Sequence, residues 1–331
     1  MAKSPRHHLV PQFLLRRFAD AEKKLVMVKR EDLGYSVTST VGNACNEAGF
    51  YRIETDDIDP DHREGHDPEA LEKALSVFEK RADRAIKSLL GGAPPWSIEK
   101  HYDLGMFTAF QYVRGWHLRK QFDEMGTLAM RREMLANRPR AEALAKRYLR
   151  ERGEKVTSES VDEFINNAYG PDGPRLVMGQ PHAIQVSFRF ALETVAPRIL
   201  TRPIRLLHFS EDAPLLTSDS PVATWSPNRP HDRVVALADA TTITMPIAPN
   251  LALSFARGGQ DAISRAGATR ARQINMAVAD IADRWIYHHP DTAPLEGLVI
   301  PPEKPRWHDE KLAARIDDDG TYRELWQTVQ R

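Results

Sequence analysis

Several polar side chains of this 331-residue chain interrupt otherwise apolar patterns, and they are its candidate chemical groups. Glu79 lies in the apolar stripe of a predicted helix, where a carboxylate is costly unless it is paired, protonated or bound to a metal. Gln111 and Arg114 lie three residues apart in a gap in the stripe of the next predicted helix, and therefore on one face. Two consecutive helices that break their apolar pattern predict a shared polar pocket. A structural ion pair between Glu79 and a core-facing arginine is the alternative.

His8 and Gln12 lie on either side of a predicted helix start near the N-terminus. Pro11 between them favours the first helical position, because the N–H that it lacks would be unpaired there. The apolar residues that follow at helical spacing need a core to cover them. His7 and His8 are neighbours, and neighbours in an extended strand point to opposite faces, so the pair provides at most one inward group if extended.

Asp219 and Asn275 are polar residues in the last third of the chain. Asp219 follows a predicted buried strand, at the end where α/β arrangements collect ligand-facing groups. The alternative is a turn-capping role through nearby backbone, which is common for Asp and Ser before proline. Asn275 lies between apolar residues of a late predicted helix, where it either binds substrate or ties the helix to the sheet.

These residue types suit the hydrolysis of a phosphodiester. Carboxylates together with a histidine fit a Mg²⁺ or Mn²⁺ ion that activates water, with Glu79 and Asp219 as its ligands. Arg114 would then stabilise charge on the phosphate oxygens. A metal-free assignment uses the same groups: His8 is the base, Glu79 orients it, and Arg114 binds an anionic substrate.

The sequence therefore predicts a hydrolase or nuclease that acts on RNA or DNA. The predicted catalytic residues are His8, Glu79, Arg114 and Asp219. The predicted substrate-binding residues are Gln12, Gln111 and Asn275. Two other classes of protein remain open: a module that binds a nucleotide or nucleic acid without turnover, and a structural or partner-binding protein whose inward polar residues pair with one another.

The composition excludes some functional classes. The 46 basic and 46 acidic residues do not fit a globally basic nucleic-acid binder. A hydrophobic fraction of 41% with 28% charged residues fits a globular domain, and no apolar run approaches the ~20 residues of a membrane span. The sequence contains no zinc signature, P-loop, G-x-S-x-G elbow or G-x-G-x-x-G loop. Cys45 is the single cysteine, so no internal disulfide forms, and with no secretion signal evident we expect a cytoplasmic protein.

Hydrophobic periodicity predicts an α+β fold: a helix-rich single domain over residues 1–290, packed on a small mixed β-sheet, with a C-terminal tail at 291–331. Helices are predicted at residues 67–90, 98–124, 181–200 and 262–283. Strands are predicted at residues 25–28, 37–41, 204–209, 214–222, 242–247, 251–255 and 285–288. A helical insertion at 125–174 forms a basic arm, whose arginines between residues 131 and 152 either contact nucleic acid or belong to an ordinary solvated helix.

The chain resembles the DUF4238 family, bacterial proteins without a well-established activity. Its opening, His8-Leu9-Val10-Pro11-Gln12-Phe13-Leu14-Leu15-Arg16-Arg17-Phe18, is similar to that family's His-Tyr-Val-Pro-Gln-Phe-Tyr-Leu-Arg-Asn-Phe pattern. The likeness continues through residues 50–51, Glu79, residues 110–114, 216–222 and 245–249, and Asn275. Leu9, Leu14, Arg17 and Gly115 depart from the pattern without touching the polar set. The resemblance implies a shared polar centre.

Overall fold

The structure is a computed structural model that describes residues 6–55, 63–227 and 235–301, with two short strands at 314–316 and 322–324. The described residues form two compact units. Among the described residues, the first comprises 6–119 and 179–301, and the second comprises Lys120–Met178 and the two short strands. The predicted insertion at 125–174 falls in the second unit. Most of the predicted tail at 291–331 lies outside the described residues.

The N-terminal segment is ordered from its first strand onward. Strand β1 (Arg6–His8) pairs antiparallel with β4 (Asn46–Ala48), and helix α1 (Gln12–Leu15) continues into a 3₁₀ turn (Arg16–Phe18). Pro11 precedes α1 with φ −57°, and its carbonyl accepts the amides of Leu14 and Leu15. Apolar burial therefore fixes this segment, because Leu14, Leu15 and Phe18 are inaccessible to solvent.

The first of the two larger sheets is antiparallel, in the order β3-β2-β11-β6. It contains β2 (Lys24–Lys29), β3 (Asp32–Thr40), β6 (Thr217–Ser218) and β11 (Trp285–His288). The strand predicted at 214–222 is reduced to β6, because Pro214 and Pro221 have no N–H to donate to a ladder. The prediction of one long strand there was wrong.

The second larger sheet is mixed, in the order β10-β5-β9-β8-β7. Strand β5 (Ile204–His208) pairs parallel with β10 (Ala262–Arg265) and antiparallel with β9 (Leu251–Ala256); β8 (Thr242–Ala248) and β7 (Ala223–Trp225) complete it. The predicted helix 262–283 was wrong at its start. Residues 262–265 add an edge strand, and helix α9 (Ala268–Asp280) begins after Gly267. Apolar residues of α9 pack in one core with those of β5 and β11.

Helix α3 is the element on which the other long helices of this part of the first unit pack. Helix α2 (Ala70–Leu90) packs on α3 (Ile98–Val113), and α7 (Gln180–Phe190) leads through a π-helical turn (Ala191–Val195) into α8 (Ala196–Leu200). The π turn precedes Pro197, which cannot donate a helical hydrogen bond, so the wider turn accommodates the proline. The single helix predicted over 98–124 is broken at Arg114 and Gly115, after which α4 (Trp116–Ala136) begins.

The second unit has a small core of its own. Helix α5 (Arg138–Glu151) starts at Asn137, whose side chain accepts the Arg140 amide, and α6 (Ser158–Tyr169) starts with a capping box at Thr157. The core joins residues of α4, α5 and α6, namely Met134, Ala141, Ala145, Leu149, Val161 and Ile165. The α+β fold class is confirmed. In the segments that the structure describes, no helix combines the length and apolarity needed to cross a membrane.

Gly115 allows the break between α3 and α4 to lie against the loop that follows β6. A Cβ at this position would lie 2.7 Å from Ser220 Oγ and 3.3 Å from the Asp219 carbonyl oxygen. We predict that Gly115→Ala lowers the free energy of unfolding by about 1–3 kcal/mol, because it overpacks a filled interface. The measurement is urea denaturation. Gly179→Ala is the control, since nothing lies within 4 Å of its added Cβ; equal effects of the two substitutions would contradict the prediction.

Candidate functional site

Arg114 is the centre of the polar cluster, and it is 2% exposed. Its Nη1 donates to Glu79 Oε1 at 2.5 Å, its Nη2 to the His8 carbonyl oxygen at 2.9 Å, and its Nε to Tyr51 Oη at 3.1 Å. The guanidinium thus joins the end of α3 to the middle of α2 and to the end of β1. The predicted meeting of the two interrupted helix stripes is confirmed, and it takes the form of an ion pair.

The charge of Arg114 is held by its neighbours. Burial alone would lower the pKa of Arg114, but the interactions with Tyr51 and Glu79 raise it above its ordinary value. The Glu79 side chain remains 21% exposed, so this ion pair has one edge in water. Because all three nitrogens of its guanidinium donate to Tyr51, Glu79 and the His8 carbonyl, Arg114 acts to position these groups.

His7 is the inward member of the histidine pair, with 1% exposure. The Tyr51 amide donates to His7 Nδ1 at 2.8 Å, so the ring proton is on Nε2, which donates to Glu69 Oε2 at 2.6 Å. Both ring nitrogens are therefore used within the fold. The sequence reasoning emphasised His8 and gave no role to His7 or Glu69. Their signal is weak, because neither interrupts a long apolar stripe.

His8 points to the other side of β1 and is half-buried. Arg16 Nη2 donates to Gln12 Oε1 at 2.9 Å, and Gln12 Nε2 lies 3.3 Å from His8 Nε2. Because arginine only donates, the Gln12 amide must present its oxygen to Arg16 and its NH₂ to His8. His8 Nε2 is then an acceptor, and the ring proton is on Nδ1.

The surroundings of His8 keep it neutral. Burial lowers the pKa of His8 below its ordinary value of 6.5, and a hydrogen bond with the Gly42 carbonyl raises it in part. The charges of Arg114, Arg16 and Arg6 lower the pKa of His8 further. His8 is thus an uncharged imidazole at neutral pH, with its Nε2 lone pair on the half-exposed side.

Asp219 caps a turn in the backbone between α9 and β11. Its Oδ1 accepts the Asp283 amide at 2.8 Å, and its Oδ2 accepts the amides of Arg284 and Trp285 at 2.7 and 2.9 Å. Burial raises the pKa of Asp219 to about 6, although the three amides act to lower it. The carboxylate is committed to the backbone, as in the turn-capping alternative, but it caps a turn distant in sequence. Its predicted catalytic role gains no support from these contacts.

The predicted metal site also gains no support. Within the described parts of the chain, no group of three or more His, Cys, Asp or Glu side chains could hold a metal ion. Glu79 pairs with Arg114, and both oxygens of Asp219 accept backbone amides. The Mg²⁺ or Mn²⁺ ion with Glu79 and Asp219 as ligands stays a prediction without a supporting arrangement.

Asn275 has a clear structural contact set. Its Oδ1 accepts the Leu216 amide at 3.0 Å, and its Nδ2 donates to the carbonyls of Pro214 and Pro294 at 2.8 and 3.4 Å. These bonds tie α9 to the segment before β6, as the structural alternative expected. Its predicted binding of substrate stays a prediction.

Gln111 and Glu72 keep unpartnered polar atoms near Arg114. Gln111 is 1% exposed, and neither atom of its amide has a hydrogen-bond partner among the described residues. Burial raises the pKa of Glu72, whose Oε2 is likewise buried without a described partner; the charge of Arg114 acts in the opposite sense. Gln111 lies one turn before Arg114 on the same face of α3. The predicted pocket therefore contains amide atoms that are still available for a hydrogen bond.

Cys45 is the single cysteine of the chain, and its buried thiol is not reactive. Burial, and after it the charge of Asp219, raises the pKa of its thiol to about 12, while the charge of Arg114 acts to lower it. A thiol with so high a pKa is not a nucleophile at neutral pH.

Most cations of the predicted basic arm are paired with local acids. Arg138 pairs with Glu142 and Asp162, and Arg140 pairs with Glu133. Arg131 is buried and donates to the Gly173 carbonyl at 2.6 Å. The arm therefore lacks a broad array of unpaired charge, and the nucleic-acid partner stays a prediction.

The fold and the site define an α+β protein with a buried arginine–glutamate centre that fixes an N-terminal histidine strand. The profile of the family described as "Protein of unknown function (DUF4238)" matches residues 6–292. The chain belongs to this family, and the resemblance in its sequence is confirmed. No curated protein and no solved structure matches the chain.

The ion pair of Arg114 should contribute to stability. We predict that Glu79→Ala lowers the free energy of unfolding by about 1–3 kcal/mol, because it leaves a buried guanidinium without its counter-charge while Glu79 itself is partly solvated. Chemical denaturation measures the effect. The control is Glu31→Ala, whose ion pair with Lys29 is exposed and contributes about 0–1 kcal/mol at most. A loss no larger than the control's would show that the pair is dispensable.

The stability of the protein should depend on the Asp219 carboxylate, so that even an amide of the same shape is destabilising. We predict that Asp219→Asn costs about 1–3 kcal/mol of stability, because the amide NH₂ would face a backbone N–H donor that then has no acceptor. Thermal and urea unfolding measure the loss. Asp291→Asn is the matched control, since that side chain is 86% exposed. Unchanged stability of Asp219→Asn would contradict the cap.

Proposed function

We propose that this chain is a hydrolase that acts on a phosphodiester, with His8 as general base and without a protein-bound metal in the chemical step. The observation that carries the proposal is the fixed tautomer of His8. A neutral imidazole whose Nε2 lone pair is available at a half-exposed position has the protonation state of a general base.

The Nε2 lone pair is held loosely. Gln12 Nε2 lies 3.3 Å away, which is long for a hydrogen bond, so a water molecule can take its place. The Gly42 carbonyl accepts a hydrogen bond from the same ring, which acts to raise the pKa of His8 in part. The carbonyl here orients the base, a role that a carboxylate has in other catalytic groups.

Two cations beside His8 favour an anionic substrate. Arg16 donates to the neutral Gln12 amide at 2.9 Å, and Arg6 donates to the neutral Asn43 amide at 3.4 Å. Neither forms an ion pair with a carboxylate in the described ranges, and both charges act on His8. Unpaired guanidinium groups suit phosphate oxygens, because the planar fork of donors matches two of them.

The proposed step is a single displacement by water. His8 Nε2 takes a proton from water while the water oxygen bonds to phosphorus. The bond from phosphorus to the leaving oxygen breaks, and that oxygen takes a proton from solvent. His8 then releases its proton, and Arg6 and Arg16 balance the charge on the phosphoryl oxygens. Arg114 is a positioning residue, because it holds the His8 carbonyl and not the reacting atoms.

The experiment measures hydrolysis of bis(p-nitrophenyl) phosphate, a single-stranded RNA and a single-stranded DNA by protein dialysed against EDTA. We expect turnover of at least one substrate, and His8→Ala should lower kcat by about 10²–10⁴-fold, the usual contribution of a general base. Its melting temperature should stay near that of the parent chain, because the His8 carbonyl that Arg114 uses remains.

His288→Ala is the matched control, since His288 is also a part-buried histidine with a lowered pKa. It should retain full activity. Turnover that appears only after Mg²⁺ or Mn²⁺ is added would contradict the metal-free step and favour the predicted Glu79 and Asp219 ligands. Absence of turnover on all three substrates would contradict the proposed hydrolase activity.

The pH dependence follows from the sign of the His8 shift. A general base acts when deprotonated, and the pKa of His8 lies below 6.5. We predict that kcat/KM is constant at neutral pH and falls only as the pH drops through the lowered pKa of His8. A rise of kcat/KM through pH 7 or above would contradict His8 as the base. The profile is measured with the substrate that gives turnover above.

A further inference from the structure

An open cleft of about 580 Å³ lies in the first unit, away from the sequence motifs discussed above. We name it the Arg202 cleft. Its walls come from the linker before α3, from the first turn of α3, and from the segments that precede β5 and β10. Its lining includes Pro94, Pro95, His101, Leu200, Arg202 and Asp261. Apolar walls with few polar groups are typical of small-molecule sites.

Arg202 is a buried cation of this cleft, with 6% exposure. Its Nε donates to the Arg198 carbonyl at 2.9 Å and its Nη2 to the Ala240 carbonyl at 3.0 Å. Its Nη1 is buried and has no hydrogen-bond partner among the described residues. No carboxylate in the described ranges forms an ion pair with Arg202. A buried guanidinium is normally paired, so this one lacks a counter-charge.

Two further arginines, Arg198 and Arg257, add positive charge near Arg202. Arg198 donates to the Thr194 carbonyl at 2.8 Å, and Arg257 donates to the Ala238 carbonyl. Burial lowers the pKa of Arg202 first, and the charges of Arg257 and Arg198 lower it further. Three guanidinium groups thus act on one region, in a chain whose basic and acidic residues balance overall.

His101 and Asp261 form a pair on the cleft lining. His101 Nε2 lies 2.7 Å from Asp261 Oδ2, and Asp261 also accepts the amides of Ile204 and Trp96 at 2.9 and 3.1 Å. Burial acts to raise the pKa of Asp261, but these bonds lower it overall, so Asp261 stays ionised. The anchored carboxylate fixes the His101 ring with its Nε2 bonded, which leaves Nδ1 for a ligand.

We propose that the Arg202 cleft binds the phosphoryl group of a small molecule, with the Arg202 guanidinium and His101 Nδ1 as its polar partners. The phosphoryl oxygens supply the negative charge that Arg202 lacks, and His101 Nδ1 bonds to one of them. Pro94, Pro95, Pro203 and Leu200 of the lining contact the apolar part of the ligand. A phosphoryl group is favoured over a carboxylate because three guanidinium groups act on this region against the single carboxylate of Asp261, and their net positive charge suits a doubly charged anion.

Calorimetric titration of the full chain with phenyl phosphate tests the proposal, with phenol as the uncharged control and inorganic phosphate as the minimal probe. We expect saturable binding of phenyl phosphate, weaker binding of inorganic phosphate, and none of phenol. Arg202→Met and His101→Gln should each weaken phenyl phosphate binding about tenfold or more, because each removes a charge-assisted hydrogen bond.

The double substitution of His8→Ala with Arg16→Gln is the control, since it removes the proposed catalytic site and should leave this binding unchanged. If only that double variant lost phenyl phosphate binding, the ligand would bind at His8, and the proposed site in the Arg202 cleft would be wrong. In phosphate-free buffer, Arg202→Met should not lower the melting temperature. Phenyl phosphate should raise the melting temperature of the parent chain and leave that of Arg202→Met unchanged. If Arg202→Met does not fold, His101→Gln decides: binding at parental strength would overturn the proposal, as would absence of binding to the parent chain.

Discussion

A guanidinium without access to water must find its charge partner and its hydrogen-bond acceptors inside the protein, and much of the first unit is arranged to supply them to Arg114. Glu79 provides the charge from α2, Tyr51 provides a hydroxyl, and the end of β1 provides the His8 carbonyl. None of these groups can move far without leaving the guanidinium unsatisfied, which is costly in a medium of low dielectric. The geometry of β1, and with it the orientation of both histidines, therefore depends on a residue about a hundred positions further along the chain.

The surroundings of Arg114, His8 and Arg202 in the first unit differ in which charges they leave unpaired. Around Arg114 the charges pair with one another, and such pairing is what a structural centre requires. Beside His8 and around Arg202 the cations bond to neutral amides or carbonyls, so positive charge remains uncompensated. Uncompensated charge, rather than the number of charged residues, separates a ligand-facing region from a scaffold. In the second unit, Arg138, Arg140, Arg147 and Arg152 have acidic partners close by in the same unit.

Helical periodicity made Glu79 and Arg114 predictable, because a polar residue in a 3.6-residue stripe is visible within a short window. The same reasoning could not assign the partners of Asp219, which are backbone amides more than sixty residues away and carry no sequence signature. Residues 262–265 resemble the first turn of a helix locally, and only parallel pairing with β5 makes them a strand. Arg202 and Asp261 were overlooked for a related reason: each stands in a connecting segment, where charged residues are usually solvated.

The two adjacent histidines carry a constraint on the length of the opening segment. Residues of an extended strand alternate between faces, so a slip of β1 by one position would exchange the enclosed imidazole with the accessible one. The enclosed ring would then lose its bonds to Glu69 and to the Tyr51 amide at the same time. Insertions or deletions between His7 and Pro11 should therefore be rare among relatives of this chain.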